Sequence, residues 1–262
     1  MRTTLSTTLL QLTLGLCLTA GIIGSATAQG TAVRPTLHVY GPGGPAPAMK
    51  DAAAVFGRAH HLNVVVTAGP TPKWLAAAQG NADFVYSGSE NMMTDLQTQM
   101  AGQIVPGSVL PLYLRPAAIL VHPGNPLHIR RFADLLRPGR RVMVVQGAGQ
   151  TGMWEDIAGR GGSIAVLRAL RRNIVFYAPN SALALKRWQA ASPPDAWIIY
   201  NIWQVARPSV AQVVPLDADH LIYRDCDISL TTRGEADPQA RAFYRFLQSP
   251  QGAHIFRRWG WR

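Results

Sequence analysis

Through the first third of the chain, short apolar runs alternate with segments whose apolar positions recur every three to four residues. LHVY (37–40) precedes PAPAMKDAAAVFGRAH (45–60), LNVVVTAG (62–69) precedes PTPKWLAAAQG (70–80), and ADFVYSG (82–88) opens a further helical pattern. That order predicts βαβαβ with a parallel sheet, because parallel neighbours need crossover connections. A second series follows: AAILVHP (117–123), a helix over FADLLR (132–137), RVMVV (141–145), a helix from Met153, NIVFYA (173–178), a helix over SALALKRWQA (181–190) and AWIIY (196–200). VVPLD (213–217), an extended LIYRDCDISLTT (221–232) and one final helix from Asp237 to Trp259 complete the pattern.

Two α/β units in tandem give the expected fold class: α/β, two lobes, each a mostly parallel sheet flanked by helices, joined by two crossover strands. The first boundary falls in LPLYLRPAAILV, near Pro111 to Pro116, where proline punctuation gives way to continuous apolar residues. This segment reads as an extended crossing, not a flexible linker. A second crossing near 217–222 returns the chain, so 29–115 with 220–262 form lobe 1 and 116–219 form lobe 2.

Residues 1–28 stand apart. Arg2 is followed by an uncharged, leucine-rich run from Leu9 to Ile23 and then by Ala26-Thr27-Ala28, the pattern of a cleavable secretory signal. The mature chain is therefore expected to begin near Gln29, exported and without stable membrane insertion, since no other run approaches the ~20 apolar residues of a span. Leu16 precedes Cys17 where lipoprotein signals place a small residue, which argues against a lipid anchor. Only Cys226 then remains, so no internal disulfide can form. A buried small hydrophobe is its expected role, with a reactive thiol or an intermolecular bridge as the alternatives.

With 48% hydrophobic residues the chain has ample material for a core, and 25 Lys+Arg against 14 Asp+Glu give a net charge of +11. That field favours anionic partners. Nucleic acid is not expected among them, because the basic clusters are short and lack interleaved stacking aromatics.

Candidate chemistry lies in the loops that follow the strands, where ligands bind in α/β folds. In VYGPGGPAPAM (39–49), a strand delivers a glycine turn to a helix with prolines in its first turn. Glycines there can take positive φ, and a ligand can approach Gly43 and Gly44 with no Cβ in the way. Ser87, Gly88, Ser89 and Glu90 follow the third strand, with helix capping as the alternative role for either serine. Gln146 to Gly152 follow RVMVV and offer Gln150, Thr151 and the Gly152 amide; Tyr200 and Asn201 follow AWIIY. Arg115, beside the crossing, is equally consistent with a clamp on a ligand between lobes and with an ordinary surface arginine.

Patterns for catalysis or cofactors are missing. The seven histidines show no metal spacing, and no G-x-S-x-G elbow or Walker lysine occurs. Gly147, Gly149 and Gly152 spell G-x-G-x-x-G, but Arg168, Arg171 and Arg172 stand where a dinucleotide site needs an acid. No cofactor, metal or enzymatic activity is therefore expected.

The order VYGPGG, DFVYSGSENM, YLRPAAILVHPGNP, GAGQTGMWEDIAGR, YNIWQVAR, YRD and FLQSPQGAHIFRRWGW resembles the accessory colonization factor family, over nearly the whole mature chain. That family is similar to periplasmic solute-binding proteins of the molybdate/sulfate type. The resemblance implies a small anionic solute in an interlobe cleft and an ABC transporter permease or sensor as partner. It also implies ligand contacts from Gly43, Gly44, Ser87, Ser89, Glu90, Gln150, Thr151 and Gly152, with Tyr200 and Asn201 less secure. Glu90 argues against a bare oxyanion and for a carboxylate- or phosphate-bearing organic acid. The rival expectation is a surface adhesion factor with a vestigial cleft, in which cationic charge and a homodimer would matter more. An exported hydrolase relying on Ser87 or Ser89 stands third.

Overall fold

A computed structural model describes residues 35–262, and the signal-peptide reading lies outside them. The elements run β1 (Thr36–Gly41), α1 (Ala46–His60), β2 (Asn63–Ala68), α2 (Leu75–Asn81), β3 (Phe84–Tyr86), α3 (Glu90–Gln99), β4 (Leu110–Val121) and β5 (Val142–Val145). Then come α4 (Met153–Gly159), α5 (Ile164–Asn173), β6 (Ile174–Ala178), α6 (Ser181–Trp188), β7 (Ala196–Tyr200), α7 (Ile202–Ala206) and β8 (Gln212–Pro215). The chain closes with β9 (Tyr223–Leu230), α8 (Thr232–Ala236), α9 (Pro238–Leu247) and α10 (Pro250–Arg258).

The strands form one curled sheet in the order β2-β1-β3-β9-β4-β7-β5-β6, with β8 also paired to β4. Each end is parallel, as the alternating pattern predicts: β2-β1-β3 at one, β7-β5-β6 at the other. The middle is antiparallel, because β9 and β4 run against their neighbours. β4 is the strand that joins the halves. Leu110 to Pro116 pair with β9, whereas Ala117 to Val121 pair with β7 and β8. The proline-punctuated segment is thus one continuous strand that changes partners at Pro116.

Strand alternation places the two sides of the first half in different cores. Leu37, Val39, Phe84 and Tyr86 point into the main core, and Tyr40 and Val85 into a smaller one against α2 and α3. Phe243 of α9 meets Phe56 of α1 at 5.1 Å between ring centroids and Phe84 of β3 at 5.6 Å, so the end of the chain packs on its beginning. Burying such a ring contributes about 1.5–3 kcal/mol.

Three helical expectations change. The helix expected from Asp237 to Trp259 is broken into α9 and α10, with Asp237 and Ser249 as side-chain N-caps ahead of Pro238 and Pro250, and the short α8 precedes it. The segment from Met153 divides into α4 and α5 around Gly161-Gly162, and Phe132–Leu136 forms a 3-10 helix. Among the described residues, no helix is long and apolar enough to cross a membrane.

Candidate anion-binding site

Arg115 occupies the point where β4 changes partners, and its side chain is only 1% exposed. The surface-arginine alternative is therefore overturned. Its Nη2 donates to the Gly88 carbonyl at 2.5 Å, and its guanidinium lies 3.9 Å from the centroid of the Tyr200 ring and 4.6 Å from that of Trp261. Nε and Nη1 have no hydrogen-bond partner among the described residues, and no carboxylate pairs with this cation. A buried charge costs several kcal/mol unless it is neutralised, and each unmet donor adds about 1–3 kcal/mol. Stacking on two rings recovers about 0.5–2 kcal/mol per contact. The guanidinium therefore retains unused capacity for a negatively charged partner.

It lines a cavity of about 90 Å³, room for several water-sized groups. The lining comes from loops at the carboxyl ends of parallel strands: Pro42 to Pro45 after β1, Gly69 and Pro70 after β2, and Gly88 after β3. Gly149 and Gln150 follow β5, Asn180 to Ala182 follow β6, and Trp203 comes from α7. α1 and α6 both begin at this cavity, bringing positive dipole ends and first-turn N–H groups that have no partner within their own helix. Asn180 caps α6 by accepting the Leu183 N–H at 3.0 Å.

Two glycines make close approaches, Gly149 on the cavity wall and Gly41 just before it. A Cβ on Gly149 would stand 2.4 Å from the Gly88 carbonyl oxygen, so the loops from opposite halves of the sheet touch here. One on Gly41 would strike the Tyr86 ring at 2.5 Å. The positive φ anticipated in the first loop does not occur: Gly41, Gly43 and Gly44 are all outside that region. Absence of a side chain, not left-handed backbone, is what the first loop uses.

Of the residues singled out in the sequence, Gly43, Gly44, Arg115 and Gln150 share the cavity. Ser87 is buried elsewhere, donating to Asp227 Oδ2 at 2.6 Å and accepting the Asp227 N–H at 3.2 Å. Ser89 caps α3, accepting the Met92 N–H at 3.3 Å. Glu90 is exposed and borders a different cavity with Asp225. Thr151 is exposed, and Gly152 adopts φ 74° ahead of α4. Tyr200 lies beneath Arg115 and not on the cavity wall; its hydroxyl donates to Gly149 O at 2.5 Å, and burial pushes its phenol pKa up. The Asn201 amide donates to Gly260 O at 2.8 Å, joining β7 to the C-terminal turn.

Gly88, from the candidate loop after β3, joins the site, and Asn180, Ser181, Trp203 and Trp261 are additions that the sequence reading did not single out. The strand-to-helix rule that selected the other loops also selects Asn180-Ser181, since NIVFYA leads straight into a capped helix. Trp261 carries no local signal, because its link to Arg115 exists only in the folded chain.

Residues 37–262 match the family model of bacterial extracellular solute-binding proteins. The chain belongs to that family. Several solved structures superpose along most of this chain. L-Phospholactate-bound PEB3 is 32% identical over 86% of this chain and 99% of its own, with a TM-score of 0.81; PEB3 from Campylobacter jejuni gives 31% over the same shares and 0.79. The sulfate-binding protein SubI from Mycobacterium tuberculosis H37Rv is similar in fold, at 17% identity over 87% of this chain and 86% of its own, with a TM-score of 0.70. Among curated proteins, no sequence matches significantly.

Proposed function

We propose that this solute-binding protein captures a small organic anion, of the phosphate- and carboxylate-bearing class, in the Arg115 cavity. The observation that carries the reading is the buried guanidinium of Arg115, two of whose nitrogens lack a partner among the described residues, on the wall of a small cavity. L-Phospholactate bound to a relative of 32% identity supports the ligand class. A three-carbon acid of that kind fits the cavity's size, and its phosphoryl oxygens suit a guanidinium and helix N-termini.

Binding requires no covalent step. Micromolar affinity corresponds to about −8 kcal/mol, within reach of a few charge-assisted hydrogen bonds in a desolvated cleft. Residues 29–115 with 220–262 and residues 116–219 would act as two lobes hinged on β4 and the entry to β9, closing where Gly88 meets Gly149. Delivery to an ABC transporter permease or a sensor in the periplasm follows as the physiological role.

A thermal-shift panel of phosphocarboxylates, simple carboxylates, phosphate, sulfate and molybdate tests the reading, because a ligand that binds only the folded state must raise Tm. A rise with the phosphocarboxylates above that with inorganic ions is expected. No rise with any anion would favour the adhesion reading.

A further inference from the structure

β9 carries a second charged feature. Alternation along the strand sends Asp225 and Asp227 to one face and Arg224 to the other. Glu90, the first residue of α3, joins the two aspartates, and one carboxylate oxygen from each of the three lies within 4.8 Å of the others. Asp227 is fully buried: Ser87 occupies its Oδ2, while Oδ1 has no hydrogen-bond partner among the described residues. The ion pairs among the described residues include none of these acids, and Arg224 turns instead to Asp156. On a chain of net charge +11, three converging carboxylates without a basic partner stand out.

Such a group repels itself, and burial sharpens the repulsion. Burial pushes Asp227 up to about 7 against the hydrogen bond from Ser87, with Asp225 and Glu90 adding to the rise. Glu90 and Asp225 also border a cavity of about 330 Å³ that shares no lining residue with the Arg115 cavity; Ser89, Asn91 and Arg224 line it too, the arginine being paired with Asp156.

We propose that Glu90, Asp225 and Asp227 bind a divalent cation, with calcium preferred. Oxygen-only donors select hard cations over zinc or copper, and the Asn91 amide on the same wall adds a neutral donor. Ligand number chooses between the hard ions: three carboxylates and an amide supply most of a shell from the protein, as calcium takes it, whereas magnesium is usually held by one or two carboxylates and keeps several waters. Bound there, the ion ties α3 to β9, the strand beside Arg115. The site is independent of the anion reading and stands or falls separately.

The test uses the whole protein, stripped with EDTA and returned to metal-free buffer at neutral pH. Calcium retained after equilibrium dialysis is counted by atomic emission, and Tm is followed in CaCl2, MgCl2 and NaCl at matched ionic strength. Expected are about one calcium per chain and a Tm rise of about 5 °C or more at a hundredfold excess over Kd. The exposed variant Glu90→Gln, and separately Asp225→Asn, should each weaken calcium binding at least about tenfold. No retained calcium, an equal response to NaCl, or an unchanged calcium Kd in both variants overturns the proposal.

Discussion

The Arg115 guanidinium lies flat enough over Tyr200 to place its carbon 3.9 Å from the ring centroid, while the Tyr200 hydroxyl reaches past it to the Gly149 carbonyl at 2.5 Å. One aromatic residue at the end of β7 thus orients the cation and fixes the loop that lines the cavity beside it. The two roles separate by substitution. Tyr200→Phe keeps the stack and should leave anion affinity within about threefold, at a cost near 1 kcal/mol of stability for the lost hydrogen bond. Tyr200→Leu removes both and should weaken binding a further ~3- to 30-fold, the worth of a cation–π contact. Calorimetric titration and denaturant melts of the two variants distinguish these outcomes.

Gly149 offers a steric test of closure. A methyl group there meets the Gly88 carbonyl oxygen at 2.4 Å, and backbone against backbone cannot yield cheaply. Gly149→Ala should cost about 1–3 kcal/mol, seen as a lower denaturant midpoint, a weaker anion Kd, or both. Gly43, with nothing within 4 Å of its would-be Cβ, is the control, and Gly43→Ala should leave stability nearly unchanged.

The pH dependence of stability has one clear local source. Asp134 accepts N–H groups from Arg130 and Arg131, and these bonds, the Arg130 bond foremost, hold its carboxyl pKa below the usual value. A folded pKa lower than the unfolded one means stability that is present above about pH 4 and lost as pH falls through the folded value. Asp134→Asn should therefore be less stable than the parent at pH 6, with the difference vanishing in strong acid. Chemical denaturation from pH 2 to 7 measures it.

Much of this architecture is legible in the residues, for a physical reason. Parallel strands buried on both faces read as short apolar runs such as VMVV and AWIIY, and the strand-to-helix loops follow by spacing. The proline-marked crossing in LPLYLRPAAILV is visible too, because prolines confined to one half of an extended segment mark a change of pairing. Ser87 and Ser89 show the limit. Their hydroxyls look like ligand groups in sequence, yet one is turned to Asp227 and the other to the α3 amides, choices made by packing. The C-terminal break is a different failure: apolar spacing persists through FLQSPQGAHIF, and the Ser249-Pro250 cap that divides it was overridden by that period. Trp261 is carried to Arg115 by long-range pairings, the main chains of Leu114 and Arg262 and the Asn201–Gly260 bond among them, which no local pattern encodes.

Calorimetric titration of a three-carbon phosphocarboxylate into the parent protein and into Arg115→Met tests the central claim most directly. The parent should bind one anion per chain, and the variant should bind at least about thirtyfold more weakly, the lower end of the cost of removing one partner of a buried charge pair. Because the variant also removes an unpaired buried charge, its anion-free Tm should hold or rise. Equal affinity in the two proteins, or no binding of any small anion by the parent, would contradict the account.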